Sequence, residues 1–496
     1  MKTLMNPSLA VAILCCISSC TTNKTTLIGS ISENVPYVLL SNPQIEVCHG
    51  AFLDTIFLDK KHQFKVKLDL QEDRFFIMRL PILNETYTIP IQCGNSYSVT
   101  YNKAKGFDTH GPNEEGIRLF QRLQGMGVIS GEYFSDESLS IEVINEQMKR
   151  EELDQFRQLL NQQKISSGFY QLMDLDRTCY YAHKTAYDYS IIAMKAFSNK
   201  EQAVDTIRLK KALAAIQKTY EQYRPNDTQW MKSPSWNMFA YFTYIKVAKQ
   251  FLENRITQAN ASELFSGSKI PFWIEQIKGS FTGNTLEAVM ALFLDEFKDI
   301  DYEVNSINTY INASQLFLES FPQSPYLPYF QKEIEQNIAA YQATGFGPDV
   351  HFVEDGDIQT FKDLLTQFRG KKLYIDIWTI TCGPCRKEFA YKEQLEPILQ
   401  RNNTIALYIM LGVSEEQKTK YKQTWESLIR KYDLKGYHYW ANQPFIDDLE
   451  QLLNSKSSST STIPVPRYML IDKQGNIVDK HFKRPSELIK DPSIQF

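Results

Sequence analysis

Two cysteines separated by two residues, Cys382 and Cys385, are the side chains whose spacing most clearly indicates chemistry. An apolar stretch at 371–378 predicts a buried strand before them, and apolar periodicity at 386–400 predicts a helix after them. At a helix N-terminus, unpaired N–H groups and the positive dipole end favour a thiolate at Cys382. Cys385, one turn further on, is placed to resolve a mixed disulfide. The pattern predicts a redox-active disulfide.

Other uses of a close cysteine pair agree less well with the sequence. Structural zinc needs about two more ligands, and the chain has no second Cys-x-x-Cys and no His-x-x-x-His. Covalent haem attachment requires histidine after the second cysteine, where this chain has Arg386. A static structural disulfide stays open as an alternative, although so short a loop gains little loop entropy.

Composition limits the class of protein. The 496 residues predict about two to four domains, and 43% hydrophobic residues are enough to fill their cores. A net charge of −4 lacks the basic footprint of nucleic-acid binding, so no nucleic-acid partner is expected.

The N-terminus predicts export. Lys2 precedes a short apolar stretch at 9–17 and the small residues Ser18 and Ser19, so residues 1–19 are predicted to be a signal peptide. Residues 17–20 resemble a bacterial lipobox, which implies a lipid on Cys20 followed by a polar tether at 20–26. A soluble secreted protein cleaved nearby is the alternative. Thr21 is not the aspartate that commonly retains lipoproteins at the inner membrane, so an outer-membrane location is expected. No later stretch has the length and hydrophobicity of a transmembrane helix.

Three further cysteines remain after processing. Cys48 and Cys93 fall in the same predicted β region and could form a disulfide in an oxidising compartment. Cys179 falls in a helical setting and is predicted to be a buried small hydrophobe. The sequence leaves this pairing open.

The sequence pattern predicts a multidomain protein. A β-rich, β-sandwich-like domain is predicted at 27–110, a helical domain at 111–344 and an α/β domain at 345–496. Strands are predicted at 37–40, 56–58, 64–70, 75–80 and 97–101, and central helices at 153–160, 212–223, 238–251, 286–297 and 329–341. The last domain combines strands at 373–378, 405–411, 467–471 and 477–481 with helices at 386–400, 415–432 and 445–453. Its alternation predicts a parallel sheet extended by an antiparallel hairpin.

Several motifs in the last domain occur in a recognisable order. They are Gly370-Lys371-Lys372, Asp376-Ile377-Trp378, Cys382-Gly383-Pro384-Cys385, Arg386-Lys387-Glu388 and the run from Pro466 to Gly475. Together they resemble the TlpA/ResA-type thiol-disulfide oxidoreductases, and the chain resembles Bacteroidetes-type lipoproteins that carry such a domain. The resemblance implies a thioredoxin fold in the last third of the chain.

The resemblance also implies roles for individual residues. Cys382 would attack and Cys385 would resolve, while Pro466 would be a cis-proline that presents the Val465 backbone to a client peptide. A flexible lip is expected at 458–462. The residues implied to contact the client are Trp378, Gly383, Pro384, Val465 and Pro466.

Two carboxylates match proton-handling positions of that family. Asp376 resembles the buried aspartate beneath the second cysteine, where desolvation raises the pKa and lets the carboxylate accept a proton from Cys385. Glu388 matches an acidic position of ResA-like proteins, and the alternative is an exposed residue in a helix's first turn.

Three positions depart from the family pattern: Thr379, Thr381 and Ala390, the last replacing a helix-kinking proline. We expect these three differences to alter the redox potential and the choice of client more than the exchange chemistry itself.

The expected protein is a periplasm-facing, lipid-anchored protein-disulfide reductase of the cell envelope without metal or cofactor. Its expected partners are exported proteins with disulfides and a membrane electron donor. A disulfide isomerase and a non-catalytic interaction scaffold are the alternatives.

Overall fold

The chain divides into two compact units, Met1–Ala261 and Ser262–Phe496. The computed structural model describes residues 24–42, 45, 52–125, 141–198, 206–256, 270–297, 304–354, 356, 358–380, 382–412, 415–453, 463–491, 494 and 496. The predicted signal peptide, Cys20 and its lipid, Cys48, Thr381 and the predicted lip at 458–462 lie outside the described residues.

The described part of the first unit begins with eight strands in two four-stranded sheets. The strand orders are β4-β1-β7-β8 and β3-β2-β5-β6. The strands are β1 (Thr25–Ile31), β2 (Tyr37–Ser41), β3 (Leu53–Phe57), β4 (Gln63–Leu68), β5 (Arg74–Leu80), β6 (Glu85–Ile91), β7 (Ser96–Asn102) and β8 (Gly106–His110). β1 starts inside the stretch predicted to be a tether, and its alternating burial places Leu27 and Ile31 in the core.

Helices follow the strands in the same unit. They are α1 (Glu114–Gly125), α2 (Ile141–Asn161), α3 (Ser167–Ser198), α4 (Thr206–Gln222) and α5 (Lys249–Leu252). The residues Met238–Ala248, predicted to be α-helical, form a π-helix instead. One core joins both sheets to α1, α2 and α3 through Phe75, Phe120, Phe156 and Phe169. The sheets therefore share their interior with helices.

In its described residues, the second unit has four α-helices before the predicted α/β region. They are α6 (Ile270–Ser280), α7 (Gly283–Phe297), α8 (Val304–Ser320) and α9 (Gln331–Gln342). The predicted helical region at 111–344 is thus divided between the two compact units.

The rest of the second unit alternates strands and helices. Its strands are β9 (Val350–Phe352), β10 (Lys372–Trp378), β11 (Thr404–Leu411), β12 (Gly436–Ala441), β13 (Arg467–Ile471) and β14 (Ile477–Asp479). Its helices are α10 (Phe361–Thr366), α11 (Gly383–Phe389), α12 (Lys392–Arg401), α13 (Glu415–Lys431), α14 (Gln443–Leu452) and α15 (Pro485–Leu488). The single helix predicted at 386–400 is two helices, which meet at Ala390 and Tyr391 without the family's proline.

These six strands form one sheet in the order β14-β13-β10-β11-β12-β9. β10, β11, β12 and β9 are parallel, and β13 and β14 add an antiparallel hairpin. Period-two alternation along β10 separates two apolar layers. Leu373, Ile375 and Ile377 face one layer, whereas Tyr374 and Trp378 face the layer that contains both cysteines.

Candidate redox site

Cys382 and Cys385 form a disulfide at the start of α11, with their Cα atoms 5.3 Å apart. Cys382 is the N-cap residue, and its sulfur accepts a hydrogen bond from the Cys385 N–H at 3.1 Å. The Cys382 side chain is 7% exposed, whereas Cys385 is completely buried. The N–H groups that open α11 thus favour negative charge on the more accessible sulfur.

The adjoining ends of β10 and β13 bring a second feature close to the disulfide. β10 ends at Trp378, just before the cysteine loop, and β13 begins at Arg467. The antiparallel register pairs Ile377 with Arg467, so the next residue, Pro466, lies level with the end of β10. The Val465–Pro466 peptide bond is cis, as the resemblance implied. Val465 is half-buried and packs against the core layer of the two cysteines.

The remaining residues implied to bind a client differ in exposure. Pro384 is exposed and Gly383 is half-buried, so both lie at the surface of the disulfide loop. Trp378 is completely buried and packs edge-on against Phe389, with ring centroids 5.1 Å apart. An apolar strand thus places this ring in the core beneath the disulfide, and its implied contact with a client stays a prediction.

Asp376 lies in the middle of β10 on the same face as Tyr374 and Trp378. Its side chain is only 2% exposed, and its Oδ1 has no hydrogen-bond partner among the described residues. Burial raises the pKa of the Asp376 carboxyl well above its usual range, and the negative charge of Glu388 raises it further. A buried carboxyl with a raised pKa, on the sheet face that packs against the Cys385 layer, has the properties of a proton acceptor for the Cys385 thiol of the reduced protein.

Glu388 is held by the C-terminal segment. It lies in the last turn of α11, is 7% exposed, and accepts hydrogen bonds from the Ser486 N–H and Oγ, each at 2.9 Å. The half-exposed Arg484 guanidinium lies 3.7 Å from its Oε1. The alternative of an exposed first-turn residue is wrong, because α15 packs against α11 and covers this carboxylate.

A row of titratable side chains crosses the sheet at the level of Asp376. The strand register pairs Tyr468 with Asp376, Asp376 with Tyr408, and Tyr408 with His438. Sequence reasoning missed Tyr468, Tyr408 and His438 because strand register alone brings them together. The Tyr408 and His438 rings stack at 4.9 Å, and burial lowers the pKa of His438 to about 4.

The other cysteines that the structure describes, Cys93 and Cys179, belong to the first unit. Cys93 is disulfide-bonded, and its partner lies outside the described residues, so the predicted Cys48–Cys93 pairing stays a prediction. Cys179 is free and buried in α3, and burial raises the pKa of its thiol.

No cluster of His, Cys, Asp and Glu within the described ranges could hold a metal ion. Likewise, none of the helices that the structure describes is long and apolar enough to cross a membrane.

Residues 346–493 match the family model described as Redoxin. This match and the arrangement of sheet, disulfide and cis-proline define the C-terminal region as a thioredoxin-like Redoxin domain. The region is homologous to thiol-disulfide oxidoreductases of the ResA type.

Two relatives give the extent of that similarity. Thiol-disulfide oxidoreductase ResA of Geobacillus thermodenitrificans is 27% identical over 122 residues, which are 24% of this chain and 60% of ResA. ResA of Bacillus cereus is 25% identical over 155 residues, 31% of this chain and 75% of that protein. The thioredoxin domain of a Bacteroides vulgatus thiol-disulfide oxidoreductase is 22% identical with a TM-score of 0.20, covering 25% of this chain and 79% of that one. The chain thus spans 60% of the length of the first of these relatives.

Proposed function

We propose that the protein is a thiol-disulfide oxidoreductase that reduces disulfides of exported proteins. The observation that carries this proposal is the disulfide between Cys382, an N-cap residue, and the fully buried Cys385 of the same helix. This arrangement gives one sulfur access and a stabilised anion while shielding the other, as a two-step exchange requires.

The proposed reaction is a two-electron exchange. In the reduced protein, the Cys382 thiolate attacks a client disulfide, a mixed disulfide forms, and one client thiolate leaves. Cys385 loses its proton to Asp376 and attacks the Cys382 sulfur, which releases the second client thiolate. The client gains two electrons and takes its protons from solvent, and the protein is left with the Cys382–Cys385 disulfide. A membrane electron donor then reduces the protein again.

Glu388 has a supporting role in this proposal. Its bonds to Ser486 and its ion pair with Arg484 keep a second carboxylate close to Asp376. Because the Glu388 charge raises the pKa of Asp376, it makes Asp376 a better proton acceptor once that carboxyl is ionised.

Trapping variants test this function. Cys385→Ser should accumulate mixed disulfides through Cys382, since no resolving thiolate remains, whereas Cys382→Ser should trap few or none. Non-reducing gels followed by mass spectrometry identify the client, and insulin reduction measures turnover by the unmodified protein. Adducts confined to Cys382→Ser would reverse the two roles, and the absence of both adducts and turnover would favour the scaffold alternative.

We also propose that Cys20 carries the lipid that attaches the mature protein to the outer membrane, facing the periplasm. The apolar stretch at 9–17 and the small residues before Cys20 support this. Mass spectrometry of the mature N-terminus and membrane fractionation test it. An unmodified N-terminus would reject the anchor, and recovery in the inner membrane alone would reject the location.

A further inference from the structure

Buried polar atoms without hydrogen-bond partners are concentrated on the cysteine face of the sheet. Among the described residues of the second unit they include Asp376 Oδ1, Trp378 Nε1, Tyr468 Oη and His438 Nδ1. Buried polar atoms are nearly always paired, because an unpaired one loses its bonds to water without replacement. Their concentration around one carboxyl indicates a polar function rather than random packing.

Of these groups, the Tyr468 hydroxyl is the one best placed to donate a hydrogen bond to the Asp376 carboxylate. It lies directly opposite Asp376 in the antiparallel pair of β10 and β13, where paired Cβ atoms are about 5 Å apart. Both side chains face the cysteine layer, and Tyr468 is only 3% exposed. Its backbone oxygen accepts a hydrogen bond from the Phe482 N–H at 3.0 Å, which fixes the residue against the segment that holds Glu388.

The neighbouring phenol of Tyr374 differs in one respect. Tyr374 lies two residues before Asp376 on the same face, and its ring stacks on Tyr468 with centroids 5.6 Å apart. Its hydroxyl, however, already donates to the Lys483 carbonyl oxygen at 3.0 Å. Among the described residues, the Tyr468 hydroxyl therefore has no hydrogen-bond acceptor, whereas the Tyr374 hydroxyl has one.

The groups that face Asp376 come from three packed elements. β13 contributes Tyr468, β11 contributes Tyr408, and α11 contributes Glu388, while the Cys385 sulfur belongs to the layer that this face packs against. Trp378, on the same strand as Asp376, contributes an indole N–H. Tyr468 is the one phenol in this group whose hydroxyl is both buried and without a partner among the described residues.

We propose that Tyr468 is a positioning residue for Asp376, and that its hydroxyl donates a hydrogen bond to the ionised carboxylate in the reduced protein. This inference rests on the proposed function, in which Asp376 accepts the Cys385 proton. The bond holds one carboxylate oxygen, so that the other oxygen faces the thiol. When the proton moves from Cys385 Sγ to Asp376, the Tyr468 O–H bond stays intact and only its hydrogen bond weakens.

A phenol that stabilises the carboxylate must lower the pH at which Cys385 can be deprotonated. Tyr468→Phe should therefore move the midpoint of the resolving step upward by roughly one pH unit, which is a roughly tenfold slower rate below the midpoint. At high pH the rate should approach that of the unmodified protein. A merely structural defect would lower the rate at every pH and leave the midpoint unchanged.

The two steps can be followed separately in the full reduced chain with 5,5′-dithiobis(2-nitrobenzoate). Attack by Cys382 releases the first thionitrobenzoate, and attack by Cys385 on the resulting mixed disulfide releases the second. The rate of the second release against pH is the measurement. Tyr374→Phe is the matched control and should retain the midpoint, since its hydroxyl is bonded elsewhere. Urea unfolding of both variants checks that each is folded.

The outcomes separate this inference from the proposed function. If Asp376→Asn slows the second release while the Tyr468→Phe profile coincides with that of the unmodified protein, the Tyr468 role is wrong and the reductase mechanism stands. An upward shift in Tyr374→Phe equal to that in Tyr468→Phe, or a shift in Trp378→Phe alone, would also overturn it. If Asp376→Asn changes nothing, Asp376 leaves the mechanism and the Tyr468 role falls with it.

Discussion

A buried carboxyl such as Asp376 makes the protein less stable as the pH rises. Its pKa is raised in the folded protein, so between the usual value and the raised value the folded state binds more protons than the unfolded state. The free energy of unfolding therefore falls as the pH increases through that window, by about 1.4 kcal/mol for each pH unit.

Asp376→Asn should remove this dependence. At neutral pH the variant should be more stable than the unmodified protein, and near pH 4 the two should converge. Urea unfolding of the disulfide form at a series of pH values measures the difference. A variant that is less stable at neutral pH would show that Asp376 is stabilised by partners that its burial does not reveal.

His438 should have the opposite effect. Burial lowers its pKa to about 4, so the unfolded state binds more protons as the pH falls from about 6.5. Stability should fall over that window by up to about 3 kcal/mol. Its Nε2 donates to the Leu434 carbonyl oxygen at 2.8 Å, so His438→Gln should lose some stability at neutral pH but show a weaker loss on acidification. Equal acid sensitivity in both proteins would exclude His438 as the cause.

At the scale of elements, one arginine joins α9 to α13. Arg430 Nε donates to the Ala340 carbonyl oxygen at 2.7 Å, and its guanidinium lies over the Phe346 ring at 4.9 Å. Arg430→Ala should lower the free energy of unfolding by about 1.5–3 kcal/mol, since a hydrogen bond from a charged group is lost. Arg430→Lys is the control that retains the charge without the planar fork.

Amide hydrogen exchange shows where in the unit the Arg430→Ala substitution lowers stability. In Arg430→Ala, amide protection should fall most at the C-terminal end of α9, where the bonded carbonyl lies. A uniform loss across the unit would instead indicate general destabilisation, and an unchanged α9 would show that its packing does not depend on Arg430.

Sequence patterns predicted the elements that carry clear periodicity and missed those that do not. β10, β11 and β13 agree with prediction within one residue because aliphatic runs define them. β12 was missed because its strand, Gly436–Ala441, is aromatic rather than aliphatic. β6 contains Pro90, which argues against a strand, and the structure places β6 at a sheet edge where proline is tolerated.

The residues of the candidate site also differ in whether the sequence could predict them. The position of the cysteine pair at a helix start and of Asp376 in a strand could be predicted from local sequence, whereas the cis bond at Pro466 was implied by the family resemblance. Tyr468 and the Ser486 contact to Glu388 could not, since they depend on strand register and on a segment 98 residues further along the chain.

At the scale of the whole molecule, the helices α6–α9 belong to the same compact unit as the Redoxin domain. α8 and α9 pack against α13, so removing them would expose the face of that helix which they cover. A fragment of residues 262–496 should therefore unfold cooperatively, whereas one of residues 345–496 should be less stable or prone to aggregate. Thermal unfolding of both fragments measures this, and equal midpoints would show that these helices contribute nothing to the domain.

The low exposure of Cys382 affects the rates at which different partners exchange with the disulfide, and not the equilibrium of that exchange. With 7% of this side chain accessible and Cys385 fully covered, a freely diffusing small thiol meets little sulfur surface. In the proposed function, an extended client that pairs with the Val465 backbone brings its own sulfur to that opening. We therefore expect the disulfide to exchange slowly with small thiols in its surroundings and faster with a polypeptide whose shape fits this opening.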